Sequence, residues 1–272
     1  MITSDFHMHT DFSSDSDASA RQMIEAAIQK GLKTVCITDH NDADYPFHEE
    51  MGVSAFAFDL GEYFKVLGQL KEEYRDKIDV RIGIEIGLQP HLGAYCKELV
   101  NQYPFDFVIG SIHVVHGQDP YYGEIFEGRT DEEVYRETFE ATLENVEAVH
   151  DFDVLGHIDY VVRYGMGQAR DYSYQKYKDE IDAVLKKLIS EGKGIEMNMA
   201  GFKYGLGFCH PHPDVIRRYR ELGGEIITVG ADGHRPEHIA YNFKEASGIL
   251  KGCGFKYYTE FKGRKPDFKQ LP

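Results

Sequence analysis

The sequence predicts an α/β protein built around a parallel β-sheet. Short apolar or β-branched runs alternate with longer amphipathic stretches along the 272 residues. Repeated strand–helix alternation is typical of a parallel sheet, which is either closed into a barrel or doubly wound. An α/β barrel commonly uses about 200–250 residues as one domain. Because no low-complexity tract or Pro/Gly/Ser-rich linker interrupts the alternation, we expect a single domain over residues 1–272.

Seven runs predict the strands, and an eighth strand is possible near residues 255–259. The seven runs cover residues 2–7, 34–38, 80–86, 107–112, 153–156, 194–197 and 225–229. Helices are predicted over residues 19–30, from about 131, over 173–191 and over 213–222. Their ends carry helix signals: glycines follow three of them, and Thr130 with Glu133 has the spacing of a capping box. Residues 41–61 have no clear period, so we expect a loop there, at the mouth of the sheet.

Charge and cysteine content narrow the range of partners. The chain has 46 acidic and 30 basic residues, so its formal net charge is −16. An acidic surface repels nucleic-acid phosphates and anionic lipids, so we expect neither as a partner. The sequence has no apolar span or signal sequence, and its four cysteines form no C-x-x-C pair. We therefore expect a cytoplasmic protein with free thiols.

Residues able to bind metal follow most of the predicted strands. The strand ends carry His7, His9, Asp39, His40, Glu85, His113, His157, Asp232 and His234. In parallel α/β proteins the active site lies at the carboxyl ends of the strands, where the βα loops meet. The sequence therefore predicts a metal site at that end of the sheet.

Two of these positions have a specific physical interpretation. His7 and His9 are two apart in an extended segment, so both imidazoles face the same side. An isolated H-x-H could equally be a surface pair. Glu85 stands within the apolar strand G-I-E-I-G, where an uncompensated carboxylate would be costly. It needs a metal cation or, alternatively, an Arg or Lys partner. Imidazoles with carboxylates suit zinc, manganese or iron and do not separate them.

Seven motifs in order carry a resemblance to a known family. They are D-F-H-M-H-T (5–10), S-x-D (13–15), I-T-D-H (37–40), G-I-E-I-G (83–87), G-S-I-H (110–113), G-H-I-D (156–159) and G-A-D-G-H (230–234). The set resembles the PHP (polymerase and histidinol phosphatase) superfamily, and the chain length resembles its monofunctional histidinol-phosphatase branch. The resemblance runs from residue 5 to about 236. It implies a distorted (β/α)7 barrel of the TIM-barrel type, with three divalent metal ions at the carboxyl ends of the strands.

The resemblance also implies which residues hold the ions. The implied ligands are His7, His9, Glu85 and Asp232 for one ion, Glu85, His113 and His157 for a second, and His40, His234 and a further residue for the third. Many relatives have His at that last position, whereas this chain offers Asp15 or, alternatively, Asp17. Asp5, Asp39 and Asp159 flank ligands, and we expect them to orient the imidazoles through the second ring nitrogen.

The implied reaction is hydrolysis of a small phosphomonoester. A metal-bridging hydroxide held by Glu85, His113 and Asp232 would attack phosphorus directly. Arg163 resembles the family's phosphate-clamping arginine, and Asn198 and Lys203 are further expected substrate contacts. Asp42, Tyr45 and Phe47 are candidates for the rest of the substrate by position only.

The expected activity is histidinol-phosphate phosphatase in histidine biosynthesis. Another PHP phosphoesterase, acting on phosphotyrosine or sugar phosphates, is the alternative, and a nuclease is less consistent with the acidic surface. A non-catalytic PHP module is a third reading. The sequence leaves the oligomeric state open.

Overall fold

The structure is a computed structural model, which describes residues 1–47, 56–167 and 169–272. Ten strands are defined in the described ranges: β1 (Ser4–Asp5), β2 (Thr34–Ile37), β3 (His40–Asn41), β4 (Asp79–Gly87), β5 (Phe107–Ser111), β6 (Val154–Leu155), β7 (Gly194–Asn198), β8 (Ile227–Gly230), β9 (Tyr257–Lys262) and β10 (Lys265–Gln270). The α-helices there are α1 (Ala20–Gln29), α2 (Leu60–Tyr74), α3 (Gly93–Gln102), α4 (Asp131–Ala148), α5 (Lys178–Ser190), α6 (Ala200–Lys203), α7 (Pro213–Glu221) and α8 (Phe243–Gly252).

The first eight strands form a parallel barrel. The order is β1-β2-β4-β5-β6-β7-β8, and the short β3 lies beyond β2 on the same edge of β4. Backbone hydrogen bonds join the first and last strands: the Phe6 amide donates to the Val229 carbonyl (3.0 Å), and the Asp232 amide donates to the His7 carbonyl (2.8 Å). The sheet is therefore closed rather than doubly wound, and the expected distorted (β/α)7 barrel is confirmed.

Local signals set the helix ends as the sequence predicts. Ser19 caps α1 and forms a capping box with Gln22, and Thr130 with Glu133 does the same for α4. Gly31, which follows α1, has a φ of 78°, a value that favours glycine. The predicted helix over residues 173–191 begins as a 3₁₀ turn at Tyr174–Tyr177 before α5. Part of the predicted loop, residues 48–55, lies outside the described residues.

The C-terminal strands lie outside the barrel. β9 corresponds to the possible eighth strand, but it pairs antiparallel with β10, which the sequence analysis did not predict. The two-residue turn Gly263–Arg264 has positive φ at both positions, as hairpin turns of this length favour. The hairpin covers the amino end of the barrel, where buried Phe261 packs with Phe6 and Phe107.

The barrel core is apolar, and the remaining helices cover the outer face of the sheet. Ile82, Ile84 and Ile86, which share one face of β4, are buried in the same apolar cluster as the helices. Among the described residues, no helix combines the length and apolar character needed to cross a membrane.

Candidate metal centre

Glu85 lies at the centre of a histidine cluster at the carboxyl end of the barrel. It is fully buried on β4. Its Oε2 atom lies 3.1 Å from His7 Nε2, 3.0 Å from His40 Nδ1 and 3.5 Å from His9 Nε2. Its Oε1 atom lies 3.0 Å from His157 Nε2 and 3.4 Å from His113 Nε2.

Asp232 and His234 complete the cluster from the loop after β8. Asp232 Oδ1 lies 3.4 Å from His9 Nε2 and 3.9 Å from His7 Nε2. The rings of His9 and His234 stack with centroids 4.1 Å apart. The structure thus brings together side chains from the ends of strands that are far apart in the sequence, as parallel barrel geometry requires.

Several atoms of this cluster are buried without a hydrogen-bond partner. They are His7 Nε2, His9 Nε2, His40 Nδ1 and Glu85 Oε2. Leaving a buried polar atom unpaired typically costs about 1–3 kcal/mol, so several side by side indicate a missing partner. The atoms offered by His7, His9 and Glu85 lie within 4.8 Å of one another, and so do those of Glu85, His113 and His157 and those of His9, His40 and His234. Such overlapping sets of imidazole nitrogens and carboxylate oxygens fit divalent metal ions.

The Glu85 carboxylate keeps its negative charge within this cluster. Burial alone would raise the pKa of Glu85, but the surrounding His7, His40 and His113 outweigh it and hold the pKa well below its ordinary value. Among the described residues, no Lys or Arg lies within ion-pair distance of Glu85. The alternative that an Arg or Lys pairs with Glu85 is therefore wrong. Glu85 is held ionised, and apart from the imidazoles its Oε1 atom accepts a hydrogen bond from the Ser111 hydroxyl at 2.6 Å.

Two carboxylates orient the imidazoles, and neither was expected in this role from the sequence. His7 Nδ1 donates to Glu196 Oε1 at 2.7 Å, and His113 Nδ1 donates to Asp42 Oδ2 at 2.7 Å. Each bond places the proton on Nδ1 and leaves Nε2 as the metal-facing lone pair. Glu196 interrupts the apolar strand G-I-E-M-N as Glu85 interrupts G-I-E-I-G, and that shared pattern could have identified it.

The three aspartates expected to orient imidazoles do not contact the ring nitrogens of the predicted ligands. The Asp5 carboxylate accepts the backbone amides of His7, Ala231 and Ala240. That prediction was wrong for Asp5, because its carboxylate satisfies backbone amides in the segments that close the barrel.

The other two aspartates also have different partners. Asp39 Oδ1 accepts from the Ser13 hydroxyl (2.7 Å), and Ser13 in turn lies 3.2 Å from His9 Nδ1, so Asp39 acts on His9 only through Ser13. Asp159 accepts from His210 Nδ1 at 2.6 Å, and this imidazole is outside the cluster.

The carboxylate beside the third group of ligands is Asp15. Its Oδ2 atom lies 3.0 Å from His234 Nε2 and 3.7 Å from His40 Nε2. Asp15 and Asp17 are both exposed to solvent, but in the described part of the chain no cluster histidine lies within ion-pair distance of Asp17. The turn after the first H-x-H segment therefore presents the nearer of the two candidate carboxylates to the cluster.

A cavity of about 520 Å³ opens onto this cluster. Its size is in the usual range for small-molecule sites. Arg163 and Lys203 both line it, and Lys203 Nζ donates to the Asp232 carbonyl at 2.9 Å. Tyr45, Phe56, Asp119 and Tyr121 are part of its wall. The cavity thus combines a cluster fit for metal with three basic side chains, those of Arg163, Lys203 and Arg235.

Asn198 has a position different from the expected one. Its side chain is fully buried, and its Nδ2 atom lies 3.2 Å from Glu196 Oε2 and 3.3 Å from Asp232 Oδ2. Its Oδ1 atom accepts the Ala200 amide at 2.9 Å. With its polar atoms engaged in this way, Asn198 supports two carboxylates of the site and does not line the cavity.

Asp42, Tyr45 and Phe47, the substrate contacts expected from position only, have different surroundings. Asp42 lines the cavity, where its Oδ2 atom bonds His113 Nδ1 and its Oδ1 atom is buried without a hydrogen-bond partner. Tyr45 donates its hydroxyl to buried Asp119 at 2.5 Å. Phe47 is 66% exposed and is not among the described lining residues of the cavity.

Sequence comparison relates the whole chain to known proteins. Residues 5–200 match the family model of the PHP domain. The chain is 31% identical over 264 residues to the histidinol-phosphatase of Lactococcus lactis subsp. lactis, which covers 97% of this chain and 96% of the relative. It is 34% identical over 252 residues to a probable histidinol-phosphatase of Clostridium acetobutylicum, which covers 93% of this chain and 94% of the relative.

Structural comparison gives the same result. A crystal structure of histidinol phosphate phosphatase from Lactococcus lactis, complexed with zinc, L-histidinol and phosphate, superposes with a TM-score of 0.89 at 31% identity. The match covers 97% of this chain and 98% of the other. A putative histidinol phosphatase from Listeria monocytogenes has a TM-score of 0.73 at 20% identity, which shows a shared fold.

Proposed function

The chain belongs to the PHP domain family, and on that premise we propose that it is a metal-dependent histidinol-phosphate phosphatase of histidine biosynthesis. The reaction converts L-histidinol phosphate and water into L-histidinol and phosphate. The observation that carries the proposal is the group of buried, unpartnered imidazole and carboxylate atoms at a cavity that Arg163 and Lys203 also line. The similarity to the Lactococcus phosphatase over nearly all of both chains supports the substrate.

We assign the ligands to three divalent ions. His7, His9, Glu85 and Asp232 would hold one, Glu85, His113 and His157 a second, and Asp15, His40 and His234 the third. The short distances from Glu85 to five imidazoles support its role as a shared ligand. Zinc is the metal in the Lactococcus complex, and manganese and iron suit the same donor atoms.

When bound, such ions act as Lewis acids that lower the pKa of water and neutralise charge on a phosphoryl group. Glu85, His113 and Asp232 would surround the attacking water. Glu196 and Asp42 fix the tautomers of His7 and His113. Arg163 and Lys203 provide the positive charge that binds the phosphoryl oxygens. Direct attack by water is the proposed route: the described lining of the cavity contains no Ser, Thr or Cys, and most of its histidines and aspartates are the proposed metal ligands or are hydrogen-bonded to other groups.

The remainder of the substrate would lie in the tyrosine-rich half of the cavity. Tyr45, Asp119 and Tyr121 are in this part of the wall. An apolar and acidic surface there suits a ligand with an imidazole and an ammonium group. We also propose that residues 1–272 act as one catalytic domain, because the C-terminal hairpin packs against the barrel through Phe261.

The test is phosphate release by purified protein, after chelation and reconstitution with zinc, manganese or iron separately. We expect hydrolysis of L-histidinol phosphate to require metal and to exceed that of phosphotyrosine and sugar phosphates. If the reconstituted protein prefers another phosphomonoester, the proposed substrate is wrong, but metal-dependent phosphomonoester hydrolysis is supported.

A pair of histidine variants tests whether the cluster is responsible. His9→Ala should abolish metal-dependent activity, whereas His150→Ala, at a residue whose side chain is 54% exposed and far from the cluster in the fold, should not. Equal activity of both variants would contradict the assignment.

A further inference from the structure

Arg163 is surrounded by tyrosines. Its guanidinium carbon lies 4.2 Å from the ring centroid of Tyr160, 4.7 Å from that of Tyr164 and 4.3 Å from that of Tyr204. Its Nη2 atom donates to the Tyr164 hydroxyl, which donates to the Tyr160 hydroxyl at 2.9 Å. All three distances are within the range in which an aromatic face attracts a cation.

This arrangement differs from that of other arginines in the protein. Arg136 pairs with Glu180, Arg218 with Asp182 and Arg264 with Asp153. In the described part of the chain, no carboxylate lies within ion-pair distance of Arg163, and its Nε atom is buried without a hydrogen-bond partner. A carboxylate would hold the guanidinium in place but would also neutralise it. Aromatic faces hold it and leave its charge available.

The three tyrosines are uncharged at neutral pH. Burial raises the pKa of Tyr164 to about 12, although Arg163 opposes the shift. Burial also raises the pKa of Tyr160 well above its ordinary value and raises that of Tyr204. The cage therefore contributes π faces and hydroxyl oxygens but no formal negative charge.

Tyr204 lies between two cations. Its ring centroid is 4.3 Å from Arg163 and 5.0 Å from Lys203 Nζ. The tyrosine is 50% exposed and lines the cavity, as do both basic residues. One ring therefore stabilises two like charges that face the same space.

We propose that Tyr160, Tyr164 and Tyr204 form an aromatic cage that positions Arg163, without neutralising it, to bind a phosphoryl group. They are positioning residues, because they act through Arg163. The inference rests on the proposed function for the identity of the ligand, a phosphoryl group beside the metal centre. It adds the reason why this guanidinium is available to that ligand.

The test measures binding of inorganic phosphate to the zinc-loaded full-length protein, alongside kcat and KM. Tyr204→Leu removes one face of the cage at a half-exposed position, so the fold should tolerate it. We expect phosphate binding to weaken about tenfold, the size of a partly desolvated cation–π contact. Tyr204→Phe keeps the ring and should weaken phosphate binding less than Tyr204→Leu does. Tyr257→Leu, at a tyrosine that is 48% exposed on the C-terminal hairpin, is the matched control and should have no effect.

Repeating the Tyr204 substitution in an Arg163 variant shows whether Tyr204 acts through Arg163 or has a general structural role. In Arg163→Met protein, phosphate binding should already be weak, and adding Tyr204→Leu should weaken it little further. Tyr164→Phe, which keeps a ring and removes the hydroxyl that accepts from Arg163, should give a smaller loss than Tyr204→Leu. Equal losses from Tyr204→Leu in both backgrounds, or no loss in either, would overturn the cage.

Failure of the cage and failure of the proposed function give different results. If Arg163→Met binds phosphate as well as the wild type, the cage proposal is wrong, even where histidinol phosphate is hydrolysed. If phosphate binding depends on Arg163 and Tyr204 together but another phosphomonoester is the preferred substrate, the cage is supported and only the proposed substrate is wrong.

Discussion

At the carboxyl end of the barrel strands, several buried polar atoms have no protein partner, whereas at the amino end most buried charges are paired. The carboxyl end holds Glu85 among imidazoles, and Glu85 Oε2 has no hydrogen-bond partner, nor do His7 Nε2, His9 Nε2 and His40 Nδ1 beside it. At the amino end, Lys71 Nζ donates to Asp106 at 3.0 Å, and Arg264 Nε donates to Asp153 at 3.0 Å. The same sheet thus supports two opposite arrangements of polar groups.

The amino end is also closed by an apolar side chain. Phe261 is 3% exposed and packs against Phe107 with ring centroids 4.9 Å apart. One basic residue departs from the pattern: Arg81 contacts Asp79, but its Nε and Nη1 atoms are buried without partners. Apart from Arg81, the amino end has the satisfied polar groups of a stable core. The difference indicates that the amino end of the barrel contributes stability and the carboxyl end provides the candidate binding site, as in TIM barrels generally.

The largest effect should come from neutralising the central carboxylate of the carboxyl end. Glu85→Gln keeps the shape but removes the charge shared by the proposed ions, so we expect activity to fall more than about a hundredfold, beyond the usual cost of changing an outer-sphere partner. Metal content by mass spectrometry should fall with it. Glu260→Gln changes a buried glutamate at the amino end and should leave both unchanged. Similar losses in the two variants would remove the functional difference between the ends.

The next effect is on stability, at the amino end. Phe261→Ala should lower the free energy of unfolding by about 3–5 kcal/mol, because it leaves a cavity among buried aromatic rings. Urea unfolding measures this, and kcat per folded molecule should not change. Phe268→Ala, on the same hairpin but 46% exposed, should change stability by less than about 0.5 kcal/mol. A large drop in kcat for Phe261→Ala would show that the two ends are coupled.

A smaller effect on activity should follow loss of an orienting carboxylate. Glu196→Gln weakens the hold on the His7 tautomer, and such changes typically cost about 10–100-fold in metal affinity or activity. Glu191→Gln is the matched control, since Glu191 bonds exposed His150 at 3.2 Å. Zinc affinity by competition with a chelator is the measurement. Unchanged affinity in Glu196→Gln would show that the His7 tautomer needs no orienting partner.

The smallest expected effect depends on pH at the amino end. Burial alone would raise the pKa of Asp106, but Lys71 and the amides of Gly263 and Ile82 outweigh it and hold the pKa below its ordinary value. A lowered pKa stabilises the fold at pH values above the unfolded pKa, about 3.9, and this contribution is lost as the pH falls through the folded pKa.

Asp106→Asn should therefore cost about 1–2 kcal/mol at pH 7, and the gap to the wild type should narrow below about pH 4. Urea unfolding across this pH range measures it. Asp76→Asn, at a side chain that is 91% exposed, is the control. A gap that stays constant with pH would mean that the ionised carboxylate is not responsible.

Sequence reasoning predicted the carboxyl end better than the amino end. Strand ends in a parallel sheet converge, so residues such as His7 and His113 could be assigned to one site from their positions alone. The C-terminal hairpin is different, because β10 is largely exposed and alternates weakly between apolar and polar residues. Its place is set by long-range packing of Phe261 rather than by its own pattern.

The carboxylates around the ligands were predicted less well. Proximity in sequence suggested Asp5 and Asp159, but Asp5 accepts backbone amides and Asp159 accepts from His210. The carboxylates that reach the ligand imidazoles, Glu196 and Asp42, come from other segments of the chain. Glu196 reaches His7 across 189 positions of the chain. The cage around Arg163 could not be predicted either, because Tyr204 comes from a different loop.

The Asp5 carboxylate has a consequence for how the protein is made. It accepts amides from Ala231 and Ala240, 226 and 235 residues further along the chain. A nascent chain that has not yet emerged from the ribosome beyond these residues has its first strand without its closing partner, and His7 and His9 without Asp232. For the proposed ligand set of His7, His9 and Asp232, metal loading in the native geometry would therefore follow synthesis of nearly the whole polypeptide.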